Sequence, residues 1–196
     1  INEIYTDLSF HSKFNGLLFH DDAFLTDFEG PISGKRDDVT LNQEAEAKSQ
    51  YLIQLTKNLE KTVSDYSYRG NAKLMSARNI YAQVIINPKA KQWFAQDYQA
   101  FLNHYDRTAI MAMPYMEAEQ AITAQTAKQW LRDLLVKANV AQNNDKLVFE
   151  LQARNWKTEK AIPEAELNQW FDLLRSQGVH HFGYYPDDLA KQQPEL

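Results

Sequence analysis

A histidine and several carboxylates follow a short apolar run near the beginning of the chain. The run is Gly16–Phe19, and His20, Asp21, Asp22 and Asp27 come after it. An uninterrupted apolar run of this length is typical of a strand buried on both faces of a parallel sheet. The acidic side chains then lie at the carboxyl end of that strand, where α/β proteins bind ligands and place catalytic groups. The alternative is that Asp21 and Asp22 only begin a turn or cap a helix.

Apolar runs alternate with amphipathic stretches along the whole chain, and this alternation predicts a parallel α/β sheet built from right-handed βαβ units. The predicted strands are residues 16–19, 73–77, 108–113, 147–152 and 179–183. The four predicted helices cover about 41–64, 88–105, 122–138 and 163–177, and residues 80–86 are predicted to be an apolar loop. Five strands are too few for a closed barrel, which needs eight strands and about 250 residues. The sheet is therefore either open or the later part of a barrel whose first strands lie upstream of Ile1.

In a parallel sheet the residues that follow the strands meet along one edge, so they are the candidate site. They are mostly carboxylates, amides and aromatic rings: His20, Asp21, Asp22, Asp27, Arg78, Asn79, Tyr115, Glu117, Glu150, Gln152, Asn155, Trp156, Tyr184, Tyr185, Asp187 and Asp188. Aromatic rings stack on the apolar faces of sugars, and carboxylates and amides bind sugar hydroxyls. Paired carboxylates across a groove also meet the minimum requirement for glycoside hydrolysis. The pattern favours a carbohydrate site. Helical spacing assigns Trp130 and Trp170 to the core.

A metal site is the competing use of His20, Asp21 and Asp22. Hydrolases that activate water with a metal usually need two histidines and a carboxylate. The sequence lacks both His-x-x-x-His and His-Glu-x-x-His, and it also lacks a glycine-rich phosphate loop and a Gly-x-Ser-x-Gly elbow. We therefore predict neither a metal nor a cofactor.

The composition narrows the class of protein. The chain has 196 residues, of which 44% are hydrophobic and 24% charged, as in an ordinary globular domain. The net charge of −5 argues against nucleic-acid binding, which needs a basic face. No apolar run approaches the length of a transmembrane helix, and the first residues do not form a signal-peptide pattern. The absence of cysteine excludes disulfides and thiol nucleophiles.

Several motifs, in the same order along the chain, resemble the carboxyl-terminal domain of the poly-β-1,6-N-acetylglucosamine N-deacetylases of Gram-negative biofilm export systems. The motifs are GLLFHDDA and DFE within residues 16–29, ARNI at 77–80, AIMAMPY at 109–115, ELQA at 150–153 and GYYPD at 183–187. The resemblance implies a (β/α) TIM-like barrel, to which residues 1–196 contribute roughly the later five strands and four helices. It also implies glycoside hydrolysis of the partially deacetylated polymer, binding of the polymer during export, and a periplasmic or outer-membrane location.

The resemblance also implies roles for individual residues. Asp21 and Asp22 correspond to the acidic centre of the glycan groove, with Asp27 and Glu117 as further acidic wall. The stacking surfaces are Trp156, Tyr184 and Tyr185. One of Asp21, Asp22 or Glu117 would protonate the leaving oxygen, and a second carboxylate or the substrate's own acetamido group would complete the displacement.

Relative to the family, the first barrel strands and the metal-dependent deacetylase domain are missing from the 196 residues. N-deacetylation therefore belongs to a part of the polypeptide outside them, and the loop between Glu29 and Leu41 is shorter than in the family. Two other functions remain open. The same groove could bind the polymer without cleaving it, or the sheet could be a flavodoxin-like binder of small molecules.

Overall fold

The structure is a computed structural model that describes residues 2–11, 15–20, 38–66, 73–118 and 122–186. The helices of this part of the chain are α1 (Asn2–His11), α2 (Asp38–Tyr66), α3 (Ala82–Ile86), α4 (Lys91–Phe94), α5 (Tyr98–His104), α6 (Pro114–Glu117), α7 (Ala124–Lys137), α8 (Val140–Asn143) and α9 (Glu164–Ser176). Its strands are β1 (Gly16–Phe19), β2 (Met75–Tyr81), β3 (Arg107–Ala112), β4 (Leu147–Gln152), β5 (Arg154–Asn155), β6 (Lys160–Ala161) and β7 (Phe182–Tyr185).

Five strands form one sheet in the order β1-β2-β3-β4-β7, whereas β5 and β6 form a separate antiparallel hairpin. Strand β1 pairs in parallel with β2, and β4 pairs in parallel with β7. Neighbours in the main sheet are joined through helices, as parallel pairing requires. The predicted parallel α/β sheet is confirmed.

The chain divides into two compact units. Strands β2 and β3 each contribute residues to both units. Unit 1 consists of residues 1–79 and 89–108, and unit 2 of residues 80–88 and 109–196. None of the helices in the described ranges is both long and apolar enough to cross a membrane.

Helix α2 organises unit 1. It is 29 residues long and packs against α1, α4 and α5. Leu52, Leu59 and Val63 recur on one face of the helix and are all buried, which is the stripe expected of a core-facing helix. Within the same core, the Thr56 hydroxyl lies 2.5 Å from the Tyr105 hydroxyl.

The core of unit 2 lies between the sheet and helices α7 and α9. Its fully buried side chains come from β3, β4, α7 and α9, and include Ile110, Phe149, Leu151, Leu131, Leu134, Trp170, Phe171 and Leu174. Helix α7 begins with a capping box formed by Thr123 and Thr126. Helix α9 follows Pro163 and is succeeded by Gly178, whose φ of 75° is the left-handed conformation that ends many helices.

The structure corrects the predicted ends of two strands. Strand β2 continues through Arg78 and Asn79 to Tyr81, and residues 82–86 form helix α3 instead of a loop. The two polar residues resemble a strand end in sequence, yet both are fully buried within the strand. Strand β7 begins at Phe182 and not at residue 179, so both tyrosines at positions 184 and 185 lie within it.

The helix predicted from Pro88 to residue 105 is divided. A 3-10 turn at Pro88–Ala90 leads into α4, which ends at Ala95 in the left-handed conformation. Helix α5 then starts afresh because the Asp97 side chain accepts a hydrogen bond from the Ala100 N–H.

The structure differs from the sequence prediction at two further places, the edge of the sheet and a short hairpin. Strand β1 is not buried on both faces, since the side chain of Leu18 is 54% exposed, and the strand lies at the edge of the sheet. The β5–β6 hairpin has strands of only two residues, which are too short to give a periodic sequence signal.

Gly16 is required by the close approach of β1 to β2, and its substitution tests this pairing. A Cβ at this position would lie 2.7 Å from the backbone oxygen of Met75, its partner in the register. We expect Gly16→Ala to lower the free energy of unfolding by about 1–3 kcal/mol, measured by urea denaturation. The control is Gly183→Ala in β7, where an added Cβ meets nothing within 4 Å. Equal midpoints for the two variants would contradict the close approach.

Asp106 ties the start of β3 to the start of β2 in unit 1. Its carboxylate accepts a hydrogen bond of 2.9 Å from the Ser76 N–H and pairs with the Lys73 ammonium. Burial alone would raise the pKa of Asp106, but the hydrogen bonds from Lys73 and Ser76 outweigh burial and hold the pKa below its usual value.

This lowered pKa predicts a pH-dependent contribution to stability. A carboxyl whose folded-state pKa is depressed stabilises the fold above its unfolded-state pKa of about 3.9, and the contribution is lost as the pH falls through the folded-state value. We expect Asp106→Asn to be less stable at pH 7 by about 1–2 kcal/mol, with the difference shrinking below about pH 4. Thermal melts across pH 2–7 measure this, with Asp65→Asn on the exposed surface of α2 as the control. A difference that does not change with pH would refute the assignment.

Candidate functional site

The first group of predicted site residues follows β1. His20 is exposed and lies directly after the last residue of that strand. Asp21, Asp22 and Asp27 lie outside the described residues, as do Asp187 and Asp188 near the other end of the chain.

Arg78 and Asn79 lie inside unit 1, within β2, and both are fully buried. The Arg78 guanidinium is 5.6 Å from the centre of the Phe101 ring. Burial lowers the pKa of Arg78, whereas the neighbouring Tyr105 acts in the opposite direction. Burial also raises the pKa of the Tyr105 hydroxyl, and hydrogen bonds with Thr56 and Arg78 partly offset that effect. Arg78 is therefore engaged with aromatic side chains of the protein interior.

In unit 2, a single buried amide connects the segments that follow β3 and β4. The Gln152 side chain is fully buried at the end of β4. Its Oε1 accepts hydrogen bonds from the Tyr115 N–H at 2.7 Å and the Met116 N–H at 3.3 Å. Its Nε2 donates to the Arg154 carbonyl at 2.7 Å. Gln152 thus fixes both the first turn of α6 and the start of the β5–β6 hairpin.

Tyr115 is half-buried and is held at three points. Its main-chain N–H donates to Gln152, its hydroxyl donates to Glu166 Oε1 at 2.6 Å, and its ring lies 6.1 Å from that of Trp170. Burial, followed by the hydrogen bond and the charge of Glu166, raises the pKa of Tyr115 well above its usual value. The hydroxyl is therefore protonated throughout the neutral range.

Glu117 is buried, with 9% of its surface exposed, and its carboxylate contacts the beginning of α3. Oε2 accepts a 2.8 Å hydrogen bond from the Gln83 N–H, and the Gln83 side chain donates to the Glu117 carbonyl at 2.6 Å. The N–H groups of a first helical turn have no partner within their own helix, so a carboxylate there is stabilising. Glu117 thereby links α6 to α3.

The predicted stacking residues form a group at the ends of β4 and β7. The Trp156 and Tyr185 rings are 5.9 Å apart with an interplanar angle of 49°. Tyr185 is 54% exposed and Trp156 half-buried, so the pair presents ring surface to solvent. Tyr184 is half-buried and its ring lies 6.2 Å from that of Phe171.

The backbone positions these rings. Strand β4 pairs with β7 so that Leu151 faces Tyr184 and Gln152 faces Tyr185, and Glu150, which is half-buried, faces Gly183. The Ala153 N–H continues this pairing by donating to the Tyr185 carbonyl at 2.8 Å. In the turn that carries Trp156, Asn155 Oδ1 accepts from the Lys157 N–H at 3.0 Å. Asparagine commonly stabilises a turn in this way.

Sequence reasoning missed two residues of this arrangement. Gln83 fell within the predicted loop, and Glu166 in the first turn of α9 is indistinguishable in sequence from an ordinary helix-stabilising acid. The one available signal was the spacing of Glu166 and Trp170, which places both on one face of α9. Across the described ranges, no group of three or more histidine, aspartate or glutamate side chains is arranged to hold a metal ion.

The geometry combines exposed aromatic rings with acceptor oxygens at the carboxyl ends of parallel strands. In α/β proteins this is where ligands bind, and the residue types suit a sugar. A parallel α/β sheet with these residue types at its strand ends is typical of carbohydrate-active domains. A family model described as "Hypothetical glycosyl hydrolase family 13" matches residues 1–185, and the chain belongs to this family.

Two individual proteins are also similar to this chain over its whole length. The chain is 39% identical over 217 residues to the poly-beta-1,6-N-acetyl-D-glucosamine N-deacetylases of Escherichia coli K12 and Escherichia coli O157:H7. All of the chain matches, but it spans only 31% of the length of these relatives.

A solved structure is also similar, the PgaB (BpsB) glycoside hydrolase domain from Bordetella bronchiseptica. It superimposes with a TM-score of 0.81 and 36% identity, over 95% of this chain and 56% of that domain. The predicted resemblance and the predicted partial (β/α) barrel are both confirmed.

The hydrogen bonds of Gln152 give a prediction for the site's scaffold. Gln152→Leu keeps the volume of the side chain but leaves two N–H groups and a carbonyl without their partner. We expect a loss of about 2–4 kcal/mol in unfolding free energy and faster amide hydrogen exchange at Tyr115 and Met116. The control is Gln169→Leu on the exposed face of α9, which we expect to change stability by less than about 0.5 kcal/mol. Unchanged exchange at both amides would show that Gln152 does not hold α6.

Proposed function

We propose that this chain binds partially deacetylated poly-β-1,6-N-acetyl-D-glucosamine and hydrolyses it as an endo-acting glycoside hydrolase. The observation that carries the proposal is the partly exposed Trp156–Tyr185 ring pair beside β4 and β7 in a member of a glycosyl hydrolase family. Flat rings with exposed faces bind the apolar faces of pyranoses. The curated relatives are named for the N-deacetylation of this polymer, which supports the choice of substrate.

The proposed chemistry uses the carboxylates that the sequence singled out. One of Asp21, Asp22 or Glu117 protonates the glycosidic oxygen as the bond breaks. A second carboxylate, or the acetamido group of the substrate, stabilises or attacks the anomeric carbon, and water completes the hydrolysis. This chemistry needs no cofactor. His20, Asp27, Tyr115, Glu150, Tyr184 and Asp187 are the further residues that we propose contact the sugar. The predicted contacts Arg78, Asn79 and Gln152 are fully buried, so we assign them to the support of the neighbouring strands and loops.

The proposal extends to the longer protein. Because the chain spans about a third of its curated relatives, we assign N-deacetylation to another part of such a polypeptide. Cleavage by this chain would then follow deacetylation and accompany export of the polymer, in the periplasm or at the outer membrane.

A non-catalytic glycan-binding module is the second candidate, and one observation favours it. The Glu117 carboxylate is buried and accepts a hydrogen bond from the Gln83 main chain. A carboxylate held in this way contributes to the fold, and without Glu117 the domain has fewer carboxylates for the paired acid and base chemistry that hydrolysis needs.

The experiment is incubation of the chain with partially deacetylated polymer, followed by mass spectrometry of the products. We expect oligosaccharides from the wild type and a loss on the order of 10²–10⁴-fold in their rate of formation for Asp21→Asn or Asp22→Asn. Trp156→Ala is expected to weaken polymer binding by roughly tenfold through lost stacking. The matched control is Trp93→Ala, since Trp93 is 52% exposed on α4 and has no role in the proposal.

Each outcome decides between the candidates. Polymer binding that depends on Trp156, without any products, supports the binding module and overturns the hydrolase. Undiminished product formation by both aspartate variants removes those residues from the chemistry. If the wild type neither binds nor cleaves the polymer, both candidates fail.

A further inference from the structure

We propose that Tyr115 and Glu166 form a subsite for the ammonium group of a deacetylated amino sugar, and that this pair distinguishes glucosamine from N-acetylglucosamine units. The inference rests on the proposed function, because it names the part of the polymer that unit 2 recognises.

The geometry of the pair determines which groups it can bind. The Tyr115 hydroxyl lies 2.6 Å from Glu166 Oε1. A carboxylate can only accept, so the phenolic proton is the one that is shared. The lone pairs of the tyrosine oxygen and the second carboxylate oxygen then remain, and all of them are acceptors. A ligand at this position must supply hydrogen-bond donors.

An ammonium group suits these acceptors better than an acetamide does. The ammonium carries three donors and a positive charge that the carboxylate attracts, whereas the acetamide offers one donor and an additional carbonyl acceptor. Removal of the acetyl group from N-acetylglucosamine creates this amine, and it is the reaction for which the curated relatives are named.

The pair is rigid and accessible. Tyr115 is fixed through its N–H by Gln152 and through its ring by Trp170, which is fully buried. Glu166 and Trp170 are four residues apart on α9, so one helix face carries both the carboxylate and the supporting ring. Tyr115 and Glu166 are both half-buried, which leaves part of each open to a ligand.

Burial and the neighbouring carboxylate raise the pKa of Tyr115, as described above. The hydroxyl therefore keeps its proton and its hydrogen bond to Glu166 throughout the range in which an amino sugar is charged. Protonated tyrosine adds no second negative charge, so the attraction for a cation comes from Glu166.

The test compares β-1,6-linked glucosamine oligosaccharides with their fully N-acetylated counterparts by calorimetric titration of the full chain. We expect the wild type to prefer the glucosamine oligomer. Glu166→Gln keeps an acceptor for the Tyr115 hydroxyl but removes the charge, and should reduce affinity for the glucosamine oligomer by about three- to tenfold while leaving the acetylated oligomer unchanged.

Two further variants separate recognition from structure. Tyr115→Phe removes the hydroxyl and is expected to reduce the same preference, which gives an independent test if Glu166→Gln does not fold. Asp172→Asn is the matched control, since it removes one negative charge from α9 at a side chain that is 77% exposed. We expect no change of preference in this control.

The outcomes separate this inference from the proposed function. A wild type that binds neither oligomer and also fails to bind the partially deacetylated polymer contradicts the proposed function itself. A wild type that binds the polymer but neither oligomer overturns the inference alone. A wild type that binds both, with a preference that survives in Glu166→Gln and Tyr115→Phe, overturns the inference alone. The inference is also overturned if the wild type shows no preference between the oligomers. It is overturned as well if the two variants weaken the binding of both oligomers equally, since the pair would then only connect α6 to α9.

Discussion

The buried amide of Gln152 is the constraint on which the unit 2 site depends. A buried amide is costly unless its polar atoms are hydrogen-bonded, and those of Gln152 are satisfied by the main chain of α6 and of the β5–β6 hairpin. One side chain at the end of β4 therefore fixes the main chain at Tyr115 and Arg154. The adjacent Ala153 N–H extends the same hydrogen-bonding to β7. The rings that we assign to the glycan are carried on segments that share this anchor.

The polar residues that follow the strands of unit 2 differ in what they can contact. Gln152 and Glu117 are buried and bonded to main-chain groups of neighbouring segments, so they maintain the arrangement of the loops. Tyr115, Trp156 and Tyr185 keep exposed surface, and the rings therefore remain available to a ligand. Desolvation explains the difference, because a polar group without access to water is stable only where the protein supplies its hydrogen bonds.

Unit 1 also contains a buried polar residue that the sequence places among the candidate ligand contacts, and this residue lies in β2. Arg78 follows an apolar run, which is typical of a residue at a ligand-binding edge, yet its guanidinium lies over the Phe101 ring and beside Tyr105. A buried guanidinium retains its charge at a cost, which its lowered pKa expresses. Sequence position alone does not distinguish such a residue from one that contacts a ligand.

The sequence by itself determined the features that depend on residues close to one another along the chain. The bounds of β4, the placing of α9 between Pro163 and Gly178 and the burial of Trp170 follow from apolar periodicity and helix-end chemistry, which act over a few residues. Only the tertiary structure decided that β2 continues through buried polar residues and that the Tyr115 hydroxyl meets Glu166, 51 positions away. The partner of a polar group across such a separation depends on the order of strands in the sheet and on the packing of α9, which no local pattern encodes.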